Sequence, residues 1–344
     1  MAAEPILAST LSTLHRVPLA PTVTSSQPKK LPTGHRTLDN TLGGGLDHGS
    51  LSCLSAEVDG GTSDIMQAVL ISHLLGAPNA TATVIDTTLA FDLRQLHGKL
   101  VRALQVQGKD GAESMAVLKR LTIMKVFDFI GLTESVTEFR EALEFEDASA
   151  PLGEPPPRGT VTDSEDEDDM LDEPTPPSMS TLPKVPSLRV PSLLVIDSIS
   201  QAAAPLLKSN HVQGQALLTS FMRSLAHLTR IYGLCTLLLN GVTSYSQSRE
   251  ETPSIFSSCV LQPALGKTFA SLVDLHMLVH AIAKTAADAR IVYGGQHEIK
   301  RGAEPEVIEV IEVLQDRYSG KVGRWTSFAI SDNGDMIELP RTDT

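Results

Sequence analysis

The chain has 344 residues, 41% of them hydrophobic, and a formal net charge of −13. This is enough apolar material for one sizeable α/β domain or two small ones, and it excludes collagen, coiled coil and wholesale disorder. No apolar run approaches the ~20 residues that cross a bilayer, and no basic stretch with an apolar core opens the chain, so a soluble, non-secreted protein is expected; the early Ser/Thr content leaves a transit peptide as the alternative.

Residues 1–30 are rich in Ser, Thr and Pro without a period and are expected to be a flexible lead-in to a core domain spanning residues 31–340. From Leu31 to Phe145 short apolar strands alternate with amphipathic stretches, the rhythm of a parallel sheet with crossover helices. Leu51 to Leu54, Thr81 to Asp86 and Leu121 to Val126 are predicted strands; Leu93 to Leu104 and Leu132 to Phe145 are predicted helices. Residues 147–191 break the pattern. The stretch from Pro151 to Pro191 contains ten of the 21 prolines, and residues 147–183 hold ten acids against Arg158 alone, which leaves only −4 for the rest of the chain. Such a segment cannot bury enough apolar surface to offset its ordering entropy, so it is predicted to be a disordered acidic insert within a single domain. Ser164 lies in its acidic run, a context suited to acid-directed kinases, although a solvated spacer is the simpler reading. Beyond it come a strand at Ser192 to Ile196, a helix around Gln213 to Tyr232, a strand at Leu234 to Asn240, and strand-like runs at 271–282, 307–315 and 325–339. Cys53, Cys235 and Cys259 are widely spaced without a C-x-x-C pair, which argues against zinc and against a disulfide framework, and for apolar core roles of Cys53 and Cys235 inside strands.

Asp197 closes the strand that follows the insert, the arrangement in which a P-loop NTPase holds magnesium through a carboxylate, though strand-terminal aspartates are common in α/β proteins. Upstream, Leu38-Asp39-Asn40-Thr41-Leu42-Gly43-Gly44-Gly45-Leu46-Asp47-His48-Gly49-Ser50 leads into the first strand and then into Ser55-Ala56-Glu57-Val58-Asp59-Gly60-Gly61-Thr62-Ser63-Asp64. An ordinary glycine turn before a helix would read the same way. Together with Lys125-Val126-Phe127-Asp128, Ala204-Pro205-Leu206-Leu207 and Gln262-Pro263-Ala264-Leu265-Gly266-Lys267, however, this glycine run resembles the ATPase core of the RecA-type recombinases, in particular the eukaryotic strand-exchange paralogues. The likeness is nearest to their D-type branch; Ile85-Asp86-Thr87 and Phe91-Asp92-Leu93-Arg94 also resemble the X-ray-sensitivity branch.

The resemblance implies a three-layer RecA-like P-loop NTPase core with a mostly parallel central sheet, and an ATP site that has decayed. Ala56, Gly60, Gly61, Thr62, Ser63, Asp197 and Asn240 fall on nucleotide-binding positions, with Ser63 and Asp197 on those that would hold Mg if nucleotide binds. A working loop needs a lysine where Thr62 stands, and loss of such a charge-assisted bond costs about 1.5–3 kcal/mol. Thr88 replaces the glutamate that activates water, and Gly241 replaces the glutamine that senses the γ-phosphate, so no catalytic residue is assigned. DNA-facing loops are expected near Gln201 to Gln215 and Thr243 to Leu261, with Lys208, His211, Tyr245 and Arg249 as DNA-contact candidates and Phe256 as a further stacking group. That footprint is meagre, so weak, salt-sensitive DNA binding is expected. The implied role is nuclear, in homologous-recombination repair, with other recombinase paralogues or the main recombinase as partners. Its rivals are a DNA-dependent ATPase with an atypical loop and an adaptor that binds basic partners through the acidic insert.

Overall fold

A computed structural model describes residues 30–57, 60–149, 192–244, 253–285, 287–289, 306–331 and 333–339. The expected lead-in and nearly all of the expected acidic insert lie outside the described residues; the insert's first residues, up to Ser149, instead finish a helix.

In chain order the elements are α1 (Arg36–Thr41), β1 (Ser50–Ser55), α2 (Thr62–Gly76), β2 (Thr81–Asp86), α3 (Leu93–Val106), α4 (Ser114–Leu118), β3 (Leu121–Lys125), α5 (Phe129–Ser149), β4 (Ser192–Asp197), α6 (Ile199–Ser209), α7 (His211–Tyr232) and β5 (Cys235–Asn240). Then follow β6 (Val242–Ser244), β7 (Leu261–Pro263), α8 (Gly266–Ala270), β8 (Leu275–Ala283), β9 (Val307–Asp316), β10 (Trp325–Ile330) and β11 (Met336–Glu338). Nine strands form one sheet in the order β11-β10-β9-β8-β1-β5-β4-β2-β3; β6 and β7 make a separate hairpin. The six strands from β8 to β3 pair in parallel, and β9, β10 and β11 extend the sheet antiparallel.

The central strands read as unbroken apolar runs because both their faces are covered. In β4, Leu193 and Val195 face one core with Leu54, Leu70, Val84, Leu96 and Leu237, while Leu194 and Ile196 face the other with Leu51, Ile85, Met222, Leu225 and Leu238. Helices α2 and α3 cover the first face, and α5, α6 and α7 the second. Cys53 and Cys235 are buried in β1 and β5 as expected, and burial pushes both thiols up to about 12. Asp92 caps α3 by accepting from the backbone N–H groups of Arg94 and Gln95, and Asn210 caps α7 through Gln213 N. The expected run at 325–339 is two strands joined by a turn in which Gly334 has φ 75°. Among the described residues no helix is long and apolar enough to cross a membrane.

A buried ionic contact ties the segment before β7 to the antiparallel half. Glu312 of β9 is 1% exposed and accepts from Ser254 Oγ and Ile255 N, both at 2.6 Å, with His280 Nε2 of β8 at 3.4 Å. Burial alone would lower the His280 pKa, but the Cys259 thiol and the Glu312 carboxylate outweigh it and raise it from 6.5 to about 9. A folded-state pKa above the unfolded one stabilises fully below the unfolded value and loses that contribution as pH rises through the folded one. Thermal melts are therefore expected to show stability falling between pH 6.5 and about 9, and Glu312→Gln is expected to flatten that slope; parallel curves for the two proteins would overturn the pairing.

Candidate functional site

Parallel pairing brings the carboxyl ends of β1, β5, β4 and β2 to one edge of the sheet, where ligands of open α/β sheets bind. The loop after β1 keeps part of a phosphate cradle. Ala56 is buried and its N–H donates to Asn240 O at 3.1 Å, Gly60 N donates to Glu57 O at 3.0 Å, and Gly61 begins α2 in the left-handed region with φ 71° and ψ 9°. A Cβ on Gly61 would lie 2.3 Å from Ile330 Cδ1, so close packing as well as backbone conformation demands glycine here. Thr62 opens the helix and Ser63 is exposed beside it, so the positive helix end and the hydroxyl persist without the lysine. Glu57 is exposed on the same loop. Val58 and Asp59 lie outside the described residues.

The nearby lysine does not fill the gap. Lys99 of α3 is buried, and its Nζ donates at 2.5 Å to Asp64 Oδ1 in the first turn of α2, where Gln95 Nε2 also donates at 3.2 Å. The sequence carries no local sign of this pair, since its members are 35 positions apart on different helices.

At the next strand ends the register sets Asp86 beside Asp197. Asp86 is fully buried and committed to its own loop: Oδ1 accepts from Thr88 N at 3.1 Å and Thr88 Oγ1 at 2.8 Å, and Oδ2 accepts from Phe91 N at 3.1 Å. Thr88, at the position where the resemblance implies a glutamate, therefore donates its hydroxyl to Asp86. Burial, and then the neighbouring Asp86 charge, raise the Asp197 carboxyl from 3.8 to about 6. With both Asp86 oxygens taken by its own loop, Asp197 is the carboxylate of the pair left for the magnesium role that the resemblance implies. For a triphosphate the loop offers the helix end and the Ser63 hydroxyl but no lysine.

Asn240 is buried at the end of β5, where its Nδ2 donates to Ser55 Oγ at 2.9 Å and to Ala264 O at 3.2 Å, while its Oδ1 has no partner. Ser55 Oγ lies 2.8 Å from His276 Nε2, and burial lowers the pKa of that imidazole to about 4. Beyond Asn240, Gly241 N donates to Ser200 Oγ at 2.8 Å, and Ser200 Oγ lies 2.9 Å from Ser198 Oγ. A Cβ at 241 would approach Ser200 Oγ to 3.2 Å, so a hydroxyl from α6 stands where a sensor side chain would pass.

The DNA-facing candidates fare differently. Gln201 to Gln215 is not a loop but the helices α6 and α7 broken at Asn210, because the Asn210 cap lets the second helix start at once. Lys208 and His211 flank that break and are exposed. Tyr245 and Arg249 lie outside the described residues. Phe256 is not available for base stacking, since its ring packs edge-on against His280 at 5.2 Å and Trp325 at 5.3 Å.

The carboxylate pair gives a test. A raised carboxyl pKa lowers stability as pH rises from 3.8 to about 6. Asp197→Asn is expected to remove that fall and to stabilise the protein at pH 7.5 by roughly 1 kcal/mol, about 2–4 °C in a thermal melt. Magnesium is expected to raise the melting temperature of the parent and not of the variant; an unchanged pH profile would refute the repulsion.

No family model matches the chain. It is 21% identical over 249 residues to "DNA repair protein RAD51 homolog 4" of Bos taurus, an alignment that covers 72% of this chain and 60% of that protein, so the chain spans less than two thirds of its relative's length. Among solved structures it matches "Crystal structure of the RadB recombinase" with a TM-score of 0.53 and 16% identity, over 90% of this chain and all of the other. Strand order, the glycine loop at the head of α2 and this likeness together give the chain the fold of a RecA-type recombinase core.

Proposed function

We propose that the chain is a recombinase-paralogue subunit that serves homologous-recombination DNA repair in the nucleus as a non-catalytic assembly factor. The observation that carries this reading is that three groups the reaction needs are missing or spent within the protein, although the Ser63 hydroxyl and the Asp197 carboxyl remain. Thr62 brings no charge, the Thr88 hydroxyl is given to Asp86, and the Gly241 backbone is held by Ser200. Positioning and electrostatics supply nearly all the catalysis in phosphoryl transfer, so a site that lacks all three has no route to turnover. RecA-type sites lie between neighbouring protomers, so such a subunit can join or cap an assembly of related paralogues or of the main recombinase without hydrolysing ATP. Its DNA contact is weak or made through that assembly, and ATP-Mg binding by the isolated chain is at most feeble. The likeness to a DNA-repair paralogue supports the recombination setting.

Phosphate release by the purified protein is expected to stay at background with and without DNA. Thr62→Lys is expected to gain about one to two decades of nucleotide affinity by calorimetry, still without turnover. Hydrolysis is expected to need Thr88→Glu and Gly241→Gln as well, and the last substitution requires Ser200 Oγ to yield by a few tenths of an ångström. Robust turnover by the unmodified protein would favour the rival DNA-dependent ATPase and sink the proposal. By fluorescence anisotropy at about 150 mM salt, submicromolar DNA binding is not expected; finding it with a steep salt dependence would mean a composite basic surface.

A further inference from the structure

An open groove of about 760 Å³ runs along α2 and α3, with the Lys99–Asp64 pair at its edge nearest the head of α2. Its floor is apolar. Ala68, Ile71 and Leu75 present one stripe of α2 at helical spacing, and Ala103 and Val106 present another from α3. Val106 is 89% exposed, a large apolar group on a helix whose opposite side is buried through Leu96, Leu100 and Leu104. The charges at the rim are already paired: Lys99 with Asp64, Arg102 with Asp335 and Lys30 with Asp47. What fits here is an apolar segment.

The described chain begins on the lip of this groove, since Lys30, Leu31 and Pro32 line it. Leu31 is fixed there by reciprocal 2.8 Å backbone hydrogen bonds with Leu46. A Cβ on Gly45 would lie 2.1 Å from Leu31 O, so the approach depends on glycine. Twenty-nine residues precede Lys30, and among them Leu7, Leu11 and Leu14 recur at spacings of four and three, with Ile6, Val17 and Leu19 beside them. The ten residues from Ala20 to Lys29 reach up to ~33 Å, more than the ~22 Å length of α2, so the leucines can reach any part of the floor. A tether this short sets an effective concentration of about millimolar, which favours weak apolar docking in cis over any dilute competitor.

We propose that residues 6–19 of this chain dock in the α2/α3 groove as an intramolecular cover, burying Val106 and the Ala68, Ile71 and Leu75 stripe beneath Leu7, Leu11 and Leu14. The assignment does not depend on the fate of the nucleotide site.

Hydrogen exchange of the full chain tests it. Removing residues 1–29 is expected to speed exchange in residues 66–76 and 99–107 by about tenfold while β4 and β5 keep their protection. Val106→Asp, at an exposed position that tolerates charge, is expected to do the same in the full chain and to add nothing in the truncated one. A synthetic peptide of residues 1–29, supplied at millimolar concentration, is expected to restore protection to the truncated chain. Unchanged exchange in both helices on truncation overturns the proposal. So does protection that is lost on dilution of the full chain, because the groove would then hold the segment of a second copy.

Discussion

The parallel register decides what this protein can and cannot do. Because β2 and β4 end together, Asp86 and Asp197 are adjacent, and because β1 and β5 end together, Ser55 meets Asn240. Side chains at these ends cannot avoid one another, so each must be neutralised, hydrogen-bonded or held against a ligand. Most of that duty falls to the protein itself. Asp86 is satisfied by the turn that follows it and the Asn240 Nδ2 by Ser55 and a backbone carbonyl, whereas Asp197, raised only to about 6, still carries its charge at neutral pH.

Self-satisfaction of this kind has a chemical consequence. A side chain whose proton or lone pair is committed in a buried network gives it up only if something better arrives, and a low local dielectric makes such networks strong when complete. Thr88 is the plainest instance. A glutamate there would carry a charge toward solvent, whereas the threonine folds its hydroxyl back onto Asp86 and closes the loop. Ser200 does the same at the other end of the edge by taking the Gly241 N–H. Asn240 stays incomplete, since its buried Oδ1 lacks a hydrogen-bond partner.

The strands were legible because buried parallel strands are apolar throughout, and Ser192 to Ile196 and Leu234 to Asn240 could hardly be anything else. The strand ends were legible for the same reason, and Asp197 and Asn240 do close β4 and β5. Three features were not. The split of 325–339 into β10 and β11 turns on the left-handed backbone at Gly334, and the Asn333-Gly334 pair that marks such a hairpin was a local signal passed over when 325–339 was read as one run. The helices over Gln201 to Gln215 were read as a DNA-facing loop by analogy, although the Asn210 cap between them is a local signal that was there to use. The Lys99–Asp64 pair and the packing of Phe256 on His280 and Trp325 join residues far apart in the chain, and no periodicity reports such contacts.

Packing holds both ends of the loop after β1. Gly61 is held by Ile330 and Phe328 from β10, and Ala56 by a backbone bond to β5, so neither restraint involves a bound nucleotide. Neither Thr62 nor Thr88 takes part in those contacts. A loop shaped by its ligand would collapse when the ligand was lost, at the expense of the first turn of α2 and the core beneath it. Here Ile65, Met66 and Val69 pack the same helix into the core whether or not anything occupies its N-terminal end. Ligand chemistry and fold stability are therefore separable in this architecture, since the contacts that hold this end of the helix do not pass through Thr62 or Ser63.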